Sequence, residues 1–191
     1  METEQQLLND IKGGERAALR RLYDRYAPLA MATALRYVGD HDGASDVVQD
    51  SFIRILTAVD RFDYRGEGSL RAWVTSIVVH QAIDHVKQNE RAKLLTLPAE
   101  GTAALADPAV AEPPDDEPDV GRVPAAVLNR LIGQLPTGYR MVLNLYVFER
   151  MSHKEIARLL GIKAETSASQ YSRAKQTLAR MIGNYLKNNK L

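Results

Sequence analysis

The sequence has no cysteine, few aromatic residues and no long apolar run. Without cysteine, the 191 residues can form neither a disulfide framework nor a cysteine-ligated zinc site, which is consistent with a protein of the reducing cytoplasm. The polar N-terminal stretch lacks the apolar core of a signal peptide. Because no stretch approaches the roughly 18 apolar residues of a transmembrane helix, we expect no membrane insertion.

Strand signals and catalytic motifs are missing as well. Polar and apolar residues do not alternate with a period of two, whereas apolar residues recur every three to four positions along most of the chain. The sequence therefore predicts an all-α fold. It offers no phosphate-binding glycine loop and no nucleophile paired with a base, so we expect no enzymatic activity, no catalytic residue, no metal ion and no cofactor.

The net charge of +1 conceals an uneven distribution. Residues 97–126 hold seven acidic residues, one arginine and six of the eight prolines, so this segment carries −6 and the remainder of the chain +7. A segment that is acidic, rich in proline and free of aromatic residues buries too little apolar surface to fold. We therefore predict two small helical domains, residues 1–95 and 125–191, joined by a flexible acidic linker, residues 96–124.

Turn signals divide the first predicted domain into helices. Pro28 is expected to separate the second helix from the third, because proline disrupts a helix interior. Asp42 or Ser45 is expected to cap the fourth, and Ser69 the fifth. The predicted helices share an apolar period near 3.6 and cover about residues 3–11, 15–26, 28–38, 43–59 and 69–93.

Residues 152–180 predict a helix-turn-helix. Ser152 and Glu155 form the S-x-x-E pattern of a capping box, and Gly161 stands where a helix can end in a left-handed residue. A second helix, from about residue 166, is expected to bury Tyr171, Ala174, Leu178 and Met181. Six basic residues and one acidic residue follow between positions 163 and 190, a surplus that suits phosphate contacts. An ordinary helical hairpin is the alternative, which this charge disfavours.

The fourth predicted helix has an acidic face. Asp46, Gln49, Asp50 and Ile53 recur on one side at helical spacing, apart from a buried stripe that includes Phe52. The segment DGASDVVQDSFIRILTAVD carries a net charge of −3, so it suits a protein partner better than DNA. The alternative is a solvated acidic face without a partner. The carboxylates could also suggest a metal site or an acid–base pair, but no histidine partner and no second acidic motif supports either.

The fifth predicted helix carries a stripe that suits unpaired DNA. Residues at helical spacing combine an aromatic ring, hydrogen-bonding groups and cations, namely Trp73, Ser76, His80, Asp84, Lys87 and Arg91. The preceding loop holds Tyr64 and Arg65 beside two glycines and could bend around an extruded base. Trp73 could equally be a core residue. His80 and Asp84 could form half of a metal site, but no third ligand is evident, which favours a structural or DNA-facing pair.

Several motifs, in this order, resemble the sigma-70 factors of bacterial RNA polymerase. LYDRYAPLAMATALRYVGDHDGASDVVQDSFIRIL and SLRAWVTSIVVHQAIDHVKQNER are similar to region 2 of that family. LPTGYRMVLNLYVFERMSHKEIARLLGIKAETSASQYSRAKQTL is similar to region 4. D-x-x-Q-D, RAW, AID and LPxxYR are specific in combination. Only these two regions occur, with a linker between them, which is the layout of the extracytoplasmic-function (ECF) group.

The resemblance implies a factor that binds core RNA polymerase and directs promoter-specific transcription initiation by recognising −10 and −35 DNA elements. The residues implied to dock on the clamp of the largest polymerase subunits are Asp46, Gln49, Asp50, Phe52 and Ile53. Those implied to melt and read the −10 element are Tyr64, Arg65, Ser69, Arg71, Trp73, His80, Asp84, Lys87 and Arg91. Those implied to read the −35 element are Lys163, Thr166, Ala168, Ser169, Gln170, Ser172 and Arg173.

The sequence departs from the family in the recognition helix. The family often has basic residues where Ala168 and Gln170 stand, and frequently valine where Ser167 stands. Fewer cations would then reach the groove, which predicts weak intrinsic affinity for the −35 element. Gln170 could pair with adenine through two hydrogen bonds.

The partners that the resemblance implies are core RNA polymerase, promoter DNA and an anti-sigma factor that covers the polymerase-binding and DNA-binding faces. We expect the chain to be a monomer. The acidic linker either imitates nucleic acid inside the polymerase or serves as a flexible spacer. The alternative function is that of a standalone helix-turn-helix transcriptional regulator, which would need neither the acidic face nor the Trp73 stripe.

Overall fold

The computed structural model describes residues 2–96 and 120–189, and for residues 91–96 and 120 it describes the backbone alone. Most of the predicted acidic linker, residues 97–119, lies outside these ranges. The α-helices are α1 (Glu4–Lys12), α2 (Arg16–Val38), α3 (His41–Ala58), α4 (Ser69–Thr96), α5 (Ala125–Gly133), α6 (Thr137–Val147), α7 (His153–Leu160) and α8 (Ala164–Asn188). Short 3-10 helices span Val59–Arg61 and Val120–Arg122.

The fold is all-α, as predicted, and the two described ranges contain no β-strand. The chain forms two compact units, Met1–Lys87 and Gln88–Leu191, and the division falls within α4. In the part of the chain that the structure describes, no helix combines the length and apolar character needed to cross a membrane. The predicted domain boundaries at residues 95 and 125 stay predictions.

Pro28 lies inside α2 and does not separate two helices, so the prediction of a break at this position was wrong. Proline lacks the N–H that would bond to the carbonyl group four residues back, and it usually kinks or ends a helix. Here the buried face continues on both sides of Pro28, through Leu22, Tyr26, Ala30 and Ala34. Packing of this face against the neighbouring helices outweighs the lost hydrogen bond.

Helix α3 begins earlier than predicted. Its N-cap is Asp40, not Asp42 or Ser45, because Asp40 Oδ1 accepts a hydrogen bond from Gly43 N at 2.8 Å. Gly39 ends α2 with a φ of 92°, a left-handed conformation that glycine adopts without strain. The connection between α2 and α3 is therefore a turn of two residues, Gly39 and Asp40.

Apolar residues from all four helices fill the interior of the first unit. Helix α3 packs on α2, and α1 contacts both α2 and the 3-10 helix that follows α3. The largest fully buried side chains of this unit are Leu7, Leu8, Leu22, Tyr37, Val47, Ile55, Val59, Leu70 and Ile83. Burying one such side chain contributes about 1.5–3 kcal/mol to the stability of the fold. Because the buried sides of α3 and α4 are held in this core, their opposite sides face outward.

The second unit packs three shorter helices around α8. Helices α5, α6 and α7 each contact α8, and α6 also contacts α7. One apolar cluster is formed by Ile132, Leu135, Leu143 and Ala174, with Leu128, Tyr139, Tyr171, Leu178 and Met181 packed against it. All four residues of α8 that were predicted to face the interior belong to this cluster. A second cluster contains Val123, Leu131 and Ile182.

Arg140 is a buried cation that joins α6 to the end of α5. Arg140 is only 9% exposed. Its Nη1 donates to the carbonyl oxygens of Gly133 at 2.6 Å and Leu135 at 3.2 Å. These carbonyl groups lie at and just beyond the C-terminus of α5, where helical partners run out. Arg140 O accepts a hydrogen bond from Asn144 Nδ2 at 2.8 Å. The guanidinium therefore positions two helices of the second unit.

Replacing Arg140 by methionine should lower the free energy of unfolding by about 2 kcal/mol, because two carbonyl groups lose a charged donor. Chemical denaturation followed by circular dichroism measures the change. The matched control is Arg130→Met, at an exposed position of α5 where substitutions usually cost no more than about 0.5 kcal/mol. Equal losses in the two variants would contradict the role given to the Arg140 hydrogen bonds.

Candidate functional site

One side of α3 is exposed and acidic. We call Asp46, Gln49, Asp50 and Ile53 the acidic strip. The three polar residues are exposed, and Ile53 keeps 63% of its accessible surface. Leu56, on the same helix, is 39% exposed. Apolar side chains beside carboxylates form a surface with an apolar centre and a charged rim, which is the composition of many protein interfaces.

Phe52, which helical spacing places on the buried stripe and which the resemblance assigns to the docking surface, lies in the core, as the spacing predicted. It is 4% exposed, and its ring centroid is 4.6 Å from that of Tyr23, with an interplanar angle of 55°. Tyr23 is 46% exposed and covers Phe52 from the α2 side. Phe52 therefore supports α3 from within, and the exposed aromatic ring at this place is that of Tyr23.

The loop of residues 62–68 turns sharply into α4. Gly66 and Gly68 have φ values of 115° and 92°, which side chains with a Cβ rarely adopt. The Ser69 hydroxyl donates to Gly66 O at 2.6 Å and accepts from Arg65 N at 3.2 Å. Ser69 was predicted to cap α4, but its side chain closes the loop. The start of α4 must therefore be capped by another residue.

Trp73 is half-buried on α4. Its ring packs against that of Phe62, with centroids 5.0 Å apart and planes at 40°. Part of the indole is therefore held by the loop, and part remains accessible to solvent. This position is compatible with both roles predicted for Trp73, a core contact and a base contact.

The other residues of the predicted −10 surface differ in exposure. Arg71, His80 and Asp84 are exposed, and Lys87 is half-buried. The side chain of Arg91 lies outside the described residues, so its predicted contact stays a prediction. Within the described ranges, no group of three histidines or carboxylates is placed to hold a metal ion.

Glu4 reaches the start of α4 from α1. Although it is 2% exposed, Oε2 accepts from Gly68 N at 2.9 Å and Leu70 N at 3.0 Å, and Oε1 from Arg71 N at 3.1 Å and Tyr26 Oη at 2.8 Å. Burial by itself would raise the pKa of Glu4, but these hydrogen bonds outweigh burial and hold the pKa below its ordinary value. Sequence analysis missed this residue, because its partners lie 22 to 67 positions away.

Helices α7 and α8 form the predicted helix-turn-helix. Ser152 Oγ accepts from Glu155 N at 3.3 Å, and Glu155 Oε2 accepts from Ser152 N at 2.8 Å, which confirms the capping box. Gly161 ends α7 with a φ of 73°, also as predicted. Helix α8 starts at Ala164, two residues earlier than predicted, and Lys163 is its N-cap residue. The two helices are therefore joined by a turn of three residues.

Most of the residues predicted to read DNA lie on the exposed side of α8. The exposed ones are Lys163, Ala168, Ser169, Ser172 and Arg173. Thr166 and Gln170 are half-buried. A Cβ added to Gly138 of α6 would lie 3.0 Å from Gln170 Nε2, so the Gln170 amide packs over the Gly138 backbone. Reading adenine through this amide would require its rotation away from α6.

Three aromatic rings meet between α6, α7 and α8. The Tyr146 centroid lies 4.6 Å from that of His153, with nearly parallel planes, and 4.4 Å from that of Tyr171. His153 Nδ1 is 3.0 Å from Ser167 Oγ, and Ser167 is completely buried. Ser167 stands where the sigma-70 factors that this sequence resembles frequently have valine. Its buried hydroxyl therefore has a hydrogen-bond partner in His153. This pair links the first turn of α7 to the recognition helix, and sequence analysis did not find it.

The fold and these surfaces define a helical protein with a helix-turn-helix in its second unit, and comparison with known families specifies the class. The family described as sigma-70 region 2 matches residues 22–92, and sigma-70 region 4 matches residues 125–178. Both matches come from one family and together cover most of the described chain. The chain therefore belongs to the sigma-70 family of RNA polymerase sigma factors.

Its relatives confirm the ECF group within that family. RNA polymerase sigma-H factor of Pseudomonas aeruginosa is 29% identical over 184 residues, which cover 93% of this chain and 92% of the relative. ECF RNA polymerase sigma-E factor of Salmonella typhimurium is 28% identical over 183 residues, which cover 92% of each chain. The sigma factor RpoE of Bartonella quintana, solved in complex with the anti-sigma factor NepR, shares the fold with a TM-score of 0.50 at 20% identity, over 86% of this chain and 96% of that one.

Removing the Ser167 hydroxyl should destabilise the helix-turn-helix. Ser167→Ala leaves His153 Nδ1 without its partner, so the free energy of unfolding should fall by about 1 kcal/mol. Ser169→Ala is the matched control, because Ser169 is exposed on the same helix and its hydroxyl donates to Thr166 O, one turn back in that helix. Urea denaturation of the two variants checks the difference, and equal midpoints would contradict it.

Proposed function

We propose that this ECF sigma factor binds core RNA polymerase and directs promoter-specific initiation through a −10 and a −35 element. The observation that carries the proposal is the occurrence of region 2 and region 4, in this order, in one chain. Alignment with two sigma factors over 92% of their own length supports the same role for the whole chain. A standalone helix-turn-helix regulator would account for α7 and α8, but it leaves the region 2 match unexplained.

The acidic strip is the proposed docking face for the clamp of core polymerase. Carboxylates repel the DNA backbone, so a surface made of Asp46, Gln49, Asp50 and Ile53 favours a protein partner. The exposed Ile53 supplies the apolar contact that such an interface needs at its centre. Phe52 contributes by holding α3 against the core, since its side chain is buried.

The loop of residues 62–68 and the exposed side of α4 form the proposed −10 surface. An accessible indole edge and neighbouring cations suit stacking on unpaired bases and contact with their phosphates. The residues assigned to this surface are Tyr64, Arg65, Ser69, Arg71, Trp73, His80, Asp84, Lys87 and Arg91. Among them, Ser69 acts through the loop, because its hydroxyl is bonded within it.

Helix α8 is the proposed reader of the −35 element. Its exposed residues Ala168, Ser169, Ser172 and Arg173 are assigned to the major groove, with Lys163 and Thr166 near the phosphates. Gln170 is assigned a base contact that forms only after its amide leaves Gly138. With few cations on this face, affinity for the isolated −35 element is expected to be weak.

The remaining assignments follow from this role. We propose a non-enzymatic factor that acts in the cytoplasm, is monomeric when free and is held inactive by an anti-sigma factor that covers the acidic strip and α8. Domains 1–95 and 125–191 would then serve the two promoter elements. Linker 96–124 would connect them, either as a spacer or as an imitation of nucleic acid.

Reversing one charge of the acidic strip tests polymerase docking. With sigma-free core polymerase and a promoter library, the wild-type chain should start RNA at defined sites. Asp50→Arg should lower the affinity for core polymerase at least about tenfold, because an arginine replaces a carboxylate in the interface. The matched control is Asp24→Arg, an exposed charge reversal on α2. Wild-type affinity in Asp50→Arg would contradict the assigned face.

The salt dependence of promoter affinity tests whether Arg173 contributes to binding of the −35 element. Arg173→Ala should weaken promoter binding by the holoenzyme and reduce the slope of log affinity against log salt by about one unit, because one positive charge that neutralises DNA phosphate is lost. Lys187→Ala removes an exposed charge near the end of the same helix and should leave the slope unchanged. Fluorescence anisotropy over a salt series measures both, and identical slopes in the two variants would refute the assignment.

A further inference from the structure

Glu4 and Glu67 form a reciprocal contact between α1 and the loop that precedes α4. The Glu4 carboxylate accepts hydrogen bonds from backbone N–H groups at the start of α4, and Glu4 N lies 3.3 and 3.2 Å from the two carboxylate oxygens of Glu67. Tyr64 Oη donates to Glu67 Oε2 at 3.3 Å. The Glu4 carboxylate of α1 therefore accepts from backbone N–H groups at the start of α4, and the Glu67 carboxylate of the loop accepts from the backbone N–H of Glu4 in α1. Helix α1 precedes the matched region 2, residues 22–92.

The first turn of α4 depends on this contact for its N–H groups. Ser69 N is satisfied by Gly66 O at 3.1 Å, but Leu70 N and Arg71 N have no acceptor within their own helix. A side chain at the helix start usually supplies that acceptor, yet the Ser69 hydroxyl is bonded inside the loop. Glu4 supplies it from α1, and its negative charge is favoured at a helix N-terminus.

The same carboxylate also fixes the end of the loop. Glu4 Oε2 accepts from Gly68 N at 2.9 Å, and this bond holds Gly68 at a φ of 92°, one of the several conformations open to glycine. Tyr26 Oη, from α2, donates to Oε1 at 2.8 Å and ties the carboxylate to the core of the unit. Three helices and the loop are therefore joined at one buried group.

We propose that Glu4 is a positioning residue for −10 recognition, which holds the loop of residues 62–68 and the first turn of α4 in the shape that receives the unpaired DNA strand. The inference rests on the proposed function. Glu4 is only 2% exposed and therefore offers almost no surface of its own, so it acts through the residues that this loop and turn present. Those residues are Tyr64, Arg65, Arg71 and Trp73. Its effect should appear in promoter opening and base discrimination, and not in polymerase docking.

The test is Glu4→Gln in the full-length chain, assembled with core polymerase. Glutamine keeps the size but replaces one acceptor oxygen by an NH₂ group that opposes backbone N–H donors. We expect about tenfold slower open-complex formation on duplex promoter, and weaker discrimination between the preferred −10 sequence and one with a single base changed. On a promoter whose −10 segment is already unpaired, the rate defect should shrink to about twofold or less. Affinity for core polymerase should match that of the wild type.

Glu2→Gln is the matched control, because Glu2 belongs to the same N-terminal segment and its carboxylate accepts from Arg21 Nε at 3.1 Å, away from α4. It should behave as wild type on both templates. Glu4→Gln with wild-type opening and discrimination would overturn the inference. So would a loss of polymerase affinity as large as the loss of opening, since that indicates general destabilisation. A wild-type chain that starts no RNA at defined sites would instead contradict the proposed function.

Tyr26→Phe provides a second variant if Glu4→Gln does not fold. It removes one of the four hydrogen bonds to the Glu4 carboxylate and keeps the buried ring. Open-complex formation on duplex promoter should slow about two- to threefold, with unchanged affinity for core polymerase. Wild-type rates and discrimination in folded Tyr26→Phe would overturn the inference in that case.

Discussion

The ends of the helices impose the constraint on which the positions of the functional residues depend. A helix leaves N–H groups at its start and carbonyl groups at its end without internal partners, and burying them unpaired is costly. Helix α4 meets this need with Glu4 of α1, and α5 meets it with Arg140 of α6. Both solutions use a charged side chain from another helix. The same bonds that satisfy a helix end therefore set the position of one element relative to its neighbour.

The exposed surfaces of this sigma factor differ in the sign of their charge. The acidic strip of α3 faces solvent beside the exposed Ile53, where phosphate would be repelled. Cations lie on other elements, in the loop at Arg65, on α4 at Arg71 and on α8 at Arg173. A near-neutral chain can therefore offer one surface to a protein and others to DNA, because interactions between exposed charges decay within a Debye length of about 8–10 Å.

Two residues singled out by the family resemblance turn out to have neighbours that a pattern of positions does not reveal. Phe52 is enclosed by Tyr23 and the core, and the Gln170 amide rests on Gly138. Helical spacing predicted that Phe52 is buried, but only the neighbouring helices decided which residues Phe52 and Gln170 meet. Ser167 shows the opposite case, since a polar residue in a buried position is stabilised by His153 from α7.

The sequence alone determined what depends on residues a few positions apart. The capping box of Ser152 and Glu155, the left-handed Gly161, the all-α class and the buried side of α8 follow from local geometry and the 3.6-residue period, so they were predictable. Tertiary structure alone decided that α2 continues through Pro28 and that Glu4 caps α4. These outcomes depend on packing energy and hydrogen bonds between residues up to 67 positions apart, and no local pattern encodes such distances.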